Sequence, residues 1–289
     1  MFISGFTFIR NAIKYDYPIV EAITSILPVC DEVVVAVGNS EDGTRVLIES
    51  IPSDKIEIID TVWDDSLREG GAVLAVETDK AFAAINPKAD WAFYIQGDEV
   101  VHEKYLPAIK DAMLKYKDDK RVQGLLFKYL HFYGSYDYVG DSRRWYRHEV
   151  RIVRNDKAIT SFKDAQGFKY NGNLPRVREI DAYMYHYGWV RPPEYQQAKQ
   201  RDFHKLWHDD KFVEQRFSDA SAFDYSQIDS LALFTGTHPA VMQPRINRIN
   251  WKFEFDPTHK KLSLKSKFSA AMEKYFGWRP GEYRNYRKV

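Results

Sequence analysis

The sequence predicts an α/β fold with a mostly parallel, twisted sheet flanked by helices and a helical C-terminal extension. Three observations carry this prediction. The runs EVVVAV (32–37) and WAFYI (91–95) are continuously apolar, which is typical of strands buried on both faces. Segments with helical period separate such runs. Strand and helix alternate as far as residue 132, which is the order of right-handed βαβ crossovers.

The individual elements follow in order. Residues 2–9 alternate and are rich in β-formers, and Asp16 and Pro18 then mark the start of a helix with apolar positions at Ile19, Ile23 and Ile26. Further segments are predicted as strands at 32–37, 56–59, 91–95 and 122–132, and as helices at 45–51, 68–85, 104–116 and 193–217. Beyond residue 132 the strands look shorter, as at 149–153, and the last 70 residues show no clear sheet pattern. We therefore expect a main domain over 1–190 and a helical extension packed on it over 191–289.

The composition is that of a globular domain, with 44% hydrophobic and 29% charged residues among 289. Aromatic residues are frequent at 15%, and a run of them between residues 129 and 146 could pack in the core or face a sugar. The net charge of +1 is uneven, because residues 260–289 hold nine basic and two acidic residues. This basic tail could be a solvated helix end or could contact an anionic membrane surface. The basic residues elsewhere do not cluster, which argues against nucleic-acid binding.

Localisation is predicted from three features. The one cysteine, Cys30, excludes a disulfide within the chain and fits a reducing compartment. The first residues lack the basic n-region of a signal peptide. No apolar run approaches the length of about 18–20 residues that a membrane helix needs. We expect a cytoplasmic protein, with peripheral contact at the inner face of the membrane as a further possibility.

Ligand-binding residues are expected where strands end, because open parallel sheets bind ligands beyond their carboxyl ends. This rule selects residues 10–11, 39–44, 63–68 and 96–99. The sequence has neither GxGxxG nor GxxxxGK[ST], so classical dinucleotide and P-loop sites are disfavoured. Asp98 and Glu99 leave a buried strand, where a carboxylate needs a cation or hydrogen-bond donors. Either one could instead cap the following helix.

Three of these segments together resemble the family 2 glycosyltransferases of the GT-A fold, over roughly residues 1–190. The loop SEDGT, residues 40–44, matches the family's S-x-D-G-T after the second strand. Arg10 and Asn11 match the K/R-N that often closes the first strand, and WAFYIQGDEV matches the strand that ends in D-x-D followed by Glu. The resemblance implies a nucleotide-sugar-binding catalytic domain that uses Mg²⁺ or Mn²⁺ and transfers a sugar with inversion.

The resemblance also implies roles for individual residues. Asp98 corresponds to the second, metal-ligating Asp of D-x-D, whereas Gln96 replaces the first. The Asp that often contacts the base is missing near Val37, so the sequence leaves the choice between UDP- and GDP-sugars open. The donor-binding residues expected from the resemblance and from the strand ends are Arg10, Asn11, Asn39, Ser40, Asp42, Arg68 and Gln96.

The second half of the chain supplies the remaining candidates. A late His completes the metal site in many GT-A enzymes, which here implies His186, although a histidine packed in an aromatic cluster is the alternative. The resemblance implies a general base after the fifth strand, for which Asp164 and Glu149 compete. Asp164 is favoured because its loop looks open, while a plain loop or capping role is the alternative. Glu149 lies among Arg147, Arg151 and Arg154, where an ion-pair network would explain it.

The leading hypothesis is a metal-dependent inverting glycosyltransferase of hexosyltransferase type. Its donor is a UDP- or GDP-sugar, and its acceptor is a carbohydrate, such as a cell-surface polysaccharide, or a lipid-linked precursor. A catalytically weak or inactive relative that binds a nucleotide or sugar is the alternative, because Gln96 brings no charge. A nucleotidyltransferase is disfavoured, since such enzymes usually carry a Gly-rich basic loop where this chain has IRNAIKYDYP.

Overall fold

The computed structural model describes residues 1–208, 211–212, 220–258, 260–276, 279 and 281–289. The first half alternates as predicted: β1 (Ile3–Ile9), α1 (Ile19–Ile26), β2 (Glu32–Val37), α2 (Thr44–Glu49), β3 (Ile56–Asp60), α3 (Ala72–Ala83), β4 (Trp91–Tyr94), β5 (Glu99–Val101), a 3₁₀ turn (Glu103–Tyr105), α4 (Leu106–Lys115) and β6 (Gly124–Tyr133). The second half contains β7 (Tyr138–Gly140), β8 (His148–Arg154), β9 (Ile159–Phe162), β10 (Gly167–Tyr170), β11 (Arg176–Trp189), α5 (Pro193–His204), β12 (Leu231–Leu233), a 3₁₀ turn (Ala240–Met242), α6 (Gln243–Asn247), α7 (Leu264–Phe276) and β13 (Arg287–Lys288).

One large sheet organises the chain, with the strand order β12-β7-β6-β8-β4-β1-β2-β3. The four strands β3, β2, β1 and β4 are parallel to one another, and β8 inserts antiparallel between β4 and β6. The long β11 pairs with β6 in parallel and with the short β5 in antiparallel fashion. The predicted α/β class with a mostly parallel central sheet flanked by helices is confirmed.

Apolar side chains alternate between the two faces of this sheet. Val33, Val35 and Val37 point to the face covered by α1, α2 and α4, whereas Val34 and Ala36 point to the face covered by α3 and the β9–β10 hairpin. Burial on both faces accounts for the uninterrupted apolar run of β2. Register aligns the strand ends, because Ile9 pairs with Val37 and Val37 with Asp60. The loops after β1, β2 and β3 therefore emerge at one edge.

Several boundaries and elements differ from the sequence predictions. The helix predicted from residue 68 begins at Ala72, and the 14-residue β11 was not predicted. The last 70 residues contain β12 and β13, which add edges to β7 and β11, so the expectation of no strands there was wrong. These edge strands have two or three residues, too few to show a period. Of the helix predicted at 193–217, α5 covers the first part, and residues 209–210 and 213–217 lie outside the described residues.

A histidine, and not Asp98 or Glu99, caps the 3₁₀ turn that follows β5. The expectation that Asp98 or Glu99 could cap the next helix was wrong, because the side chain of His102 caps the 3₁₀ turn by accepting from Lys104 N. Glu99 instead begins β5.

Among the helices in the described ranges, none is long and apolar enough to cross a membrane.

Candidate active site

A cavity of about 660 Å³ opens where the parallel strands end. The loops after β1, β3 and β4 form one wall, and the β9–β10 turn, the end of β11 and α5 form the other. Of the predicted site residues, Arg10, Asn11, Arg68, Gln96, Asp98, Asp164 and His186 line it. The tertiary structure thus brings together residues that are up to 176 positions apart in the chain.

The other predicted donor-binding residues belong to the loop after β2 and hydrogen-bond to the loops after β1 and β3. Ser40 Oγ accepts from Asn11 N, and Asp42 accepts from the backbone amides of Lys14 and Thr44. Asn39 Oδ1 accepts from Trp63 N in the next loop. Asn39, Ser40 and Asp42 do not line the cavity, so in this structure they hold the loops that carry Arg10 and Trp63.

Trp63 lies beside the carboxyl end of β2, next to Gly38. Its ring lines the cavity and packs on Gly38, where an added Cβ would lie 2.4 Å from the indole Nε1. The Arg10 guanidinium lies 5.5 Å from the centre of the same ring and is paired with Asp65 at 2.7 Å. Because residue 38 is glycine, the Trp63 ring fits against it and the Arg10 guanidinium can pack on the same ring.

Asp98 is 7% exposed and lies among three cationic or titratable groups. Lys199 Nζ donates to Asp98 Oδ2 at 3.0 Å, and His186 Nε2 lies 3.7 Å from Asp98 Oδ1. Burial by itself would raise the pKa of Asp98, but Lys199, His186 and Arg191 together hold it below its usual range. Burial and Arg191 lower the pKa of Lys199 to about 8, against the opposing effect of Asp98. The pair is therefore ionised at neutral pH.

The hydrogen bonds of His186 determine which of its two ring nitrogens carries the proton. His131 Nε2 lies 2.8 Å from Tyr146 O, which can only accept, so His131 carries its proton on Nε2. Its Nδ1 then accepts from His186 Nδ1 at 3.2 Å. Burial lowers the pKa of both imidazoles, so both are neutral at pH 7. The unprotonated Nε2 of His186 therefore points toward Asp98.

A neutral imidazole nitrogen and a carboxylate oxygen both ligate divalent metal ions, and the carboxylate is the ligand that Mn²⁺ and Mg²⁺ prefer. Gly188 keeps the space between them open, because a Cβ there would lie 2.7 Å from His186 Nε2 and 2.9 Å from Asp98 Oδ2. Within the described part of the chain no group of three or more His, Cys, Asp or Glu could hold a metal. Asp98 and His186 are the two residues that would hold such an ion.

Glu99 turns away from the cavity into a buried ion pair. Its two carboxylate oxygens accept from Arg151 Nη2 and Nε at 2.8 and 2.9 Å, and Tyr129 Oη donates to it at 2.6 Å. Both Glu99 and Arg151 are 0% exposed. Arg151 Nη1 also donates to Gln166 O at 2.9 Å, so this pair connects the end of β4 with the β9–β10 turn.

Asp164 lies in that turn with an unusual backbone on both sides. Lys163 and Ala165 have φ of 54° and 59°, in the left-handed region that non-glycine residues rarely adopt. Gln96 Nε2 donates to Ala165 O at 3.2 Å and fixes the turn against β4. Asp164 is half-buried and lines the cavity. The strained turn presents one carboxylate to the same space as Asp98.

Glu149 lies behind the cavity wall and does not line it. It accepts from Gln166 Nε2 and Asn285 Nδ2, each at 2.8 Å. The expected ion-pair network around it is not found, because Arg147 pairs with Glu273 and Glu282. Arg154 donates to backbone carbonyls and Arg151 pairs with Glu99. Glu149 therefore positions the side chain of Gln166, and Gln166 lines the cavity.

Burial raises the pKa of Glu149 to about 7 from an ordinary value of about 4.5, although Arg151 and the two amides lower it. The folded protein therefore binds a proton there that the unfolded chain releases, and stability falls as pH rises from about 4.5 to 7. The full cost above pH 7 is about 3 kcal/mol. We expect Glu149→Gln to remove this cost. The difference in unfolding free energy between variant and wild type, measured with urea, should be more favourable at pH 8 than at pH 5. An equal difference at both pH values would contradict the assignment.

Among the residues that sequence reasoning missed are three polar ones, two near Asp98 and one in the turn that carries Asp164. Lys199 and Arg191 lie at Asp98, and Arg191 is fully buried, donating to Tyr15 O and Gly188 O. Gln166 is the third. Lys199 falls within the predicted helix 193–217, where a lysine normally faces water, so no local signal distinguishes it.

The fold and cavity together define an α/β protein with a carboxylate–imidazole pair at the carboxyl end of its parallel strands. No protein-family model and no curated protein matches the sequence. Solved structures do resemble the chain. TarS of S. aureus is 17% identical with a TM-score of 0.41, over 70% of this chain and 38% of TarS. Its 1–349 fragment with UDP is 16% identical with a TM-score of 0.41, over 76% and 68%.

Two further solved structures are similar over about half of the chain. Glucosyl-3-phosphoglycerate synthase of Mycobacterium tuberculosis, solved with Mn²⁺, UDP and phosphoglyceric acid, is 18% identical with a TM-score of 0.31, over 45% of this chain and 43% of its own. 4-Diphosphocytidyl-2C-methyl-D-erythritol synthase of Anaerococcus prevotii is 11% identical with a TM-score of 0.31, over 53% and 71%.

Proposed function

We propose that this protein is an inverting glycosyltransferase that moves a sugar from a nucleotide-diphosphate sugar to a carbohydrate or lipid-linked acceptor. The observation that carries the proposal is one cavity in which Asp98 and His186 converge and which Asp164 also lines, from the β9–β10 turn. A metal-and-phosphate position and a separate carboxylate are the two groups that such a transfer requires.

The donor side of the site is cationic and aromatic. Trp63 offers a face for a base, which supports stacking in place of the missing acidic contact. Arg10 and Arg68 line the same wall and suit phosphate oxygens. Asp98 and His186 would hold Mn²⁺ or Mg²⁺, which when bound neutralises charge on the leaving diphosphate. The choice between UDP and GDP stays open, because stacking accepts either base.

The acceptor side supplies the base and an apolar surface. In the transfer, an acceptor hydroxyl oxygen bonds to the anomeric carbon, the bond to the diphosphate breaks with its electron pair on the phosphate, and the hydroxyl proton passes to Asp164. Tyr146 and Trp189 also line the cavity and suit the C–H face of a sugar. The other aromatic residues of the run that precedes Tyr146 pack mainly in two clusters behind the wall.

Calorimetric titration with UDP- and GDP-sugars in the presence of Mn²⁺ tests this function. We expect one donor to bind, and Asp98→Asn to weaken it by more than about tenfold, because the ion loses its charged ligand. Asp181→Asn is the matched control, since Asp181 is an exposed carboxylate on β11 paired with Lys128. Failure of both donor classes to bind, or equal affinity in Asp98→Asn, would refute the proposal.

A binding protein without turnover is the second candidate, and Gln96 favours it. Gln96 replaces an acid, and its side chain is engaged with Ala165 O. This alternative predicts donor binding without release of nucleoside diphosphate across a broad acceptor panel. Turnover that depends on Asp164 would exclude it.

Peripheral membrane contact remains a proposal. Phe268, Tyr275 and Phe276 on α7 are 67–73% exposed, and they belong to the segment 260–289, which holds nine basic residues in its sequence. Exposed aromatic residues next to basic ones suit an anionic lipid surface, where a lipid-linked acceptor would lie.

A further inference from the structure

Lys199 is a buried cation that the proposed transfer does not yet use. It lies on α5 in the cavity wall and is 9% exposed. Its ammonium donates to Asp98 Oδ2 at 3.0 Å and to Gly188 O at 3.3 Å, and it lies 4.7 Å from the centre of the Tyr17 ring. An ammonium group has three donors. Its contacts all lie at the Asp98 carboxylate and the wall around it.

Two cations would compete for this carboxylate. A divalent ion held by Asp98 and His186 would lie beside the Lys199 ammonium, with buried Arg191 also close to Asp98. Repulsion between positive charges at such distances is strong where water is largely excluded. The ammonium therefore needs a new anionic partner when the metal enters. A diphosphate in the same cavity provides phosphate oxygens within the range of a flexible lysine side chain.

We propose that Lys199 is the counter-ion of Asp98 in the donor-free protein and a diphosphate-binding residue in the donor complex. Its ammonium moves from the carboxylate to a phosphate oxygen when metal and donor bind. This inference depends on the proposed function for its second state. This movement couples the binding of metal and diphosphate. The metal displaces the Lys199 ammonium from Asp98 and frees it for the diphosphate, and the diphosphate draws the ammonium away from Asp98 and frees the carboxylate for the metal.

The test measures Mn²⁺ binding without donor, and then UDP binding at saturating Mn²⁺. In Lys199→Gln, which removes the charge but keeps a donor, Mn²⁺ alone should bind on the order of tenfold more tightly. UDP should bind on the order of tenfold more weakly. Lys199→Arg keeps the charge and should restore wild-type behaviour in both titrations. Lys128→Gln removes a half-buried lysine on β6, which pairs with Asp181 and does not line the cavity, and should change neither.

The possible outcomes separate the inference from the proposed function. Unchanged or weaker Mn²⁺ affinity in Lys199→Gln would overturn the counter-ion state, and unchanged UDP affinity would overturn the diphosphate contact. Wild-type protein that binds Mn²⁺ but no nucleotide would refute the proposed function, while the Mn²⁺ titration still decides the counter-ion state. Thermal unfolding establishes that each variant folds, and Lys199→Met replaces Lys199→Gln if the latter does not.

Discussion

Asp164→Asn is expected to lower kcat by about 10²–10⁴-fold while donor affinity stays nearly unchanged. In the proposed transfer the amide cannot take the proton of the acceptor hydroxyl, but it keeps the size and nearly the shape of the side chain. The strained turn at Lys163 and Ala165 holds position 164 in the cavity whatever its charge. Single-turnover kinetics with a bound donor, together with donor titration, separates the two effects.

Glu149→Gln is the matched comparison, because Glu149 is the other candidate base and is buried behind the wall. We expect its kcat to stay within about tenfold of wild type, since Glu149 acts on the site through Gln166. A large loss of kcat in Glu149→Gln with little loss in Asp164→Asn would reverse the assignment. A pH–rate profile adds a second readout, because loss of the base removes the acidic limb.

Arg151→Met is expected to destabilise the protein by about 3–5 kcal/mol, because it leaves the Glu99 carboxylate buried without its charged partner. The same substitution removes the bond to Gln166 O, so the β9–β10 turn should also loosen. Urea denaturation measures the free energy of unfolding. Hydrogen exchange at the amides around Asp164 reports the loosening.

Two further variants test the expected destabilisation of Arg151→Met. The double variant Glu99→Met with Arg151→Met removes both charges and should recover part of the loss, because an apolar pair carries no uncompensated charge. Lys128→Met breaks an exposed ion pair with Asp181 and should cost less than about 1 kcal/mol. A loss below about 1 kcal/mol in Arg151→Met would show that Glu99 is compensated by other donors.

Some of the site was predictable because it depends on local pattern. Apolar runs specify buried strands, and the ends of parallel strands specify an edge, so Arg10, Asn11 and Asp98 could be placed there from residue order. The resemblance added His186 and Asp164, and both line the cavity. Their chemical roles remain proposals.

Other parts could not be predicted, because the contacts that decide them are between segments far apart in the chain. Asp98 and Glu99 are adjacent and chemically alike, yet one faces the cavity and the other pairs with Arg151. Glu149 looked like part of an arginine network, but its partners are the amides of Gln166 and Asn285. Periodicity says nothing about which distant group meets a side chain.

The sequence by itself determined the α/β class, the alternation of its first half and the edge at which ligands should bind, since these follow from the period of apolar residues. The tertiary structure alone decided that β8 inserts antiparallel beside β4, that Gly188 leaves room between Asp98 and His186, and that Lys199 neutralises Asp98. The physical reason is that strand order and buried charge pairing depend on long-range packing and desolvation, which no local stretch of sequence encodes.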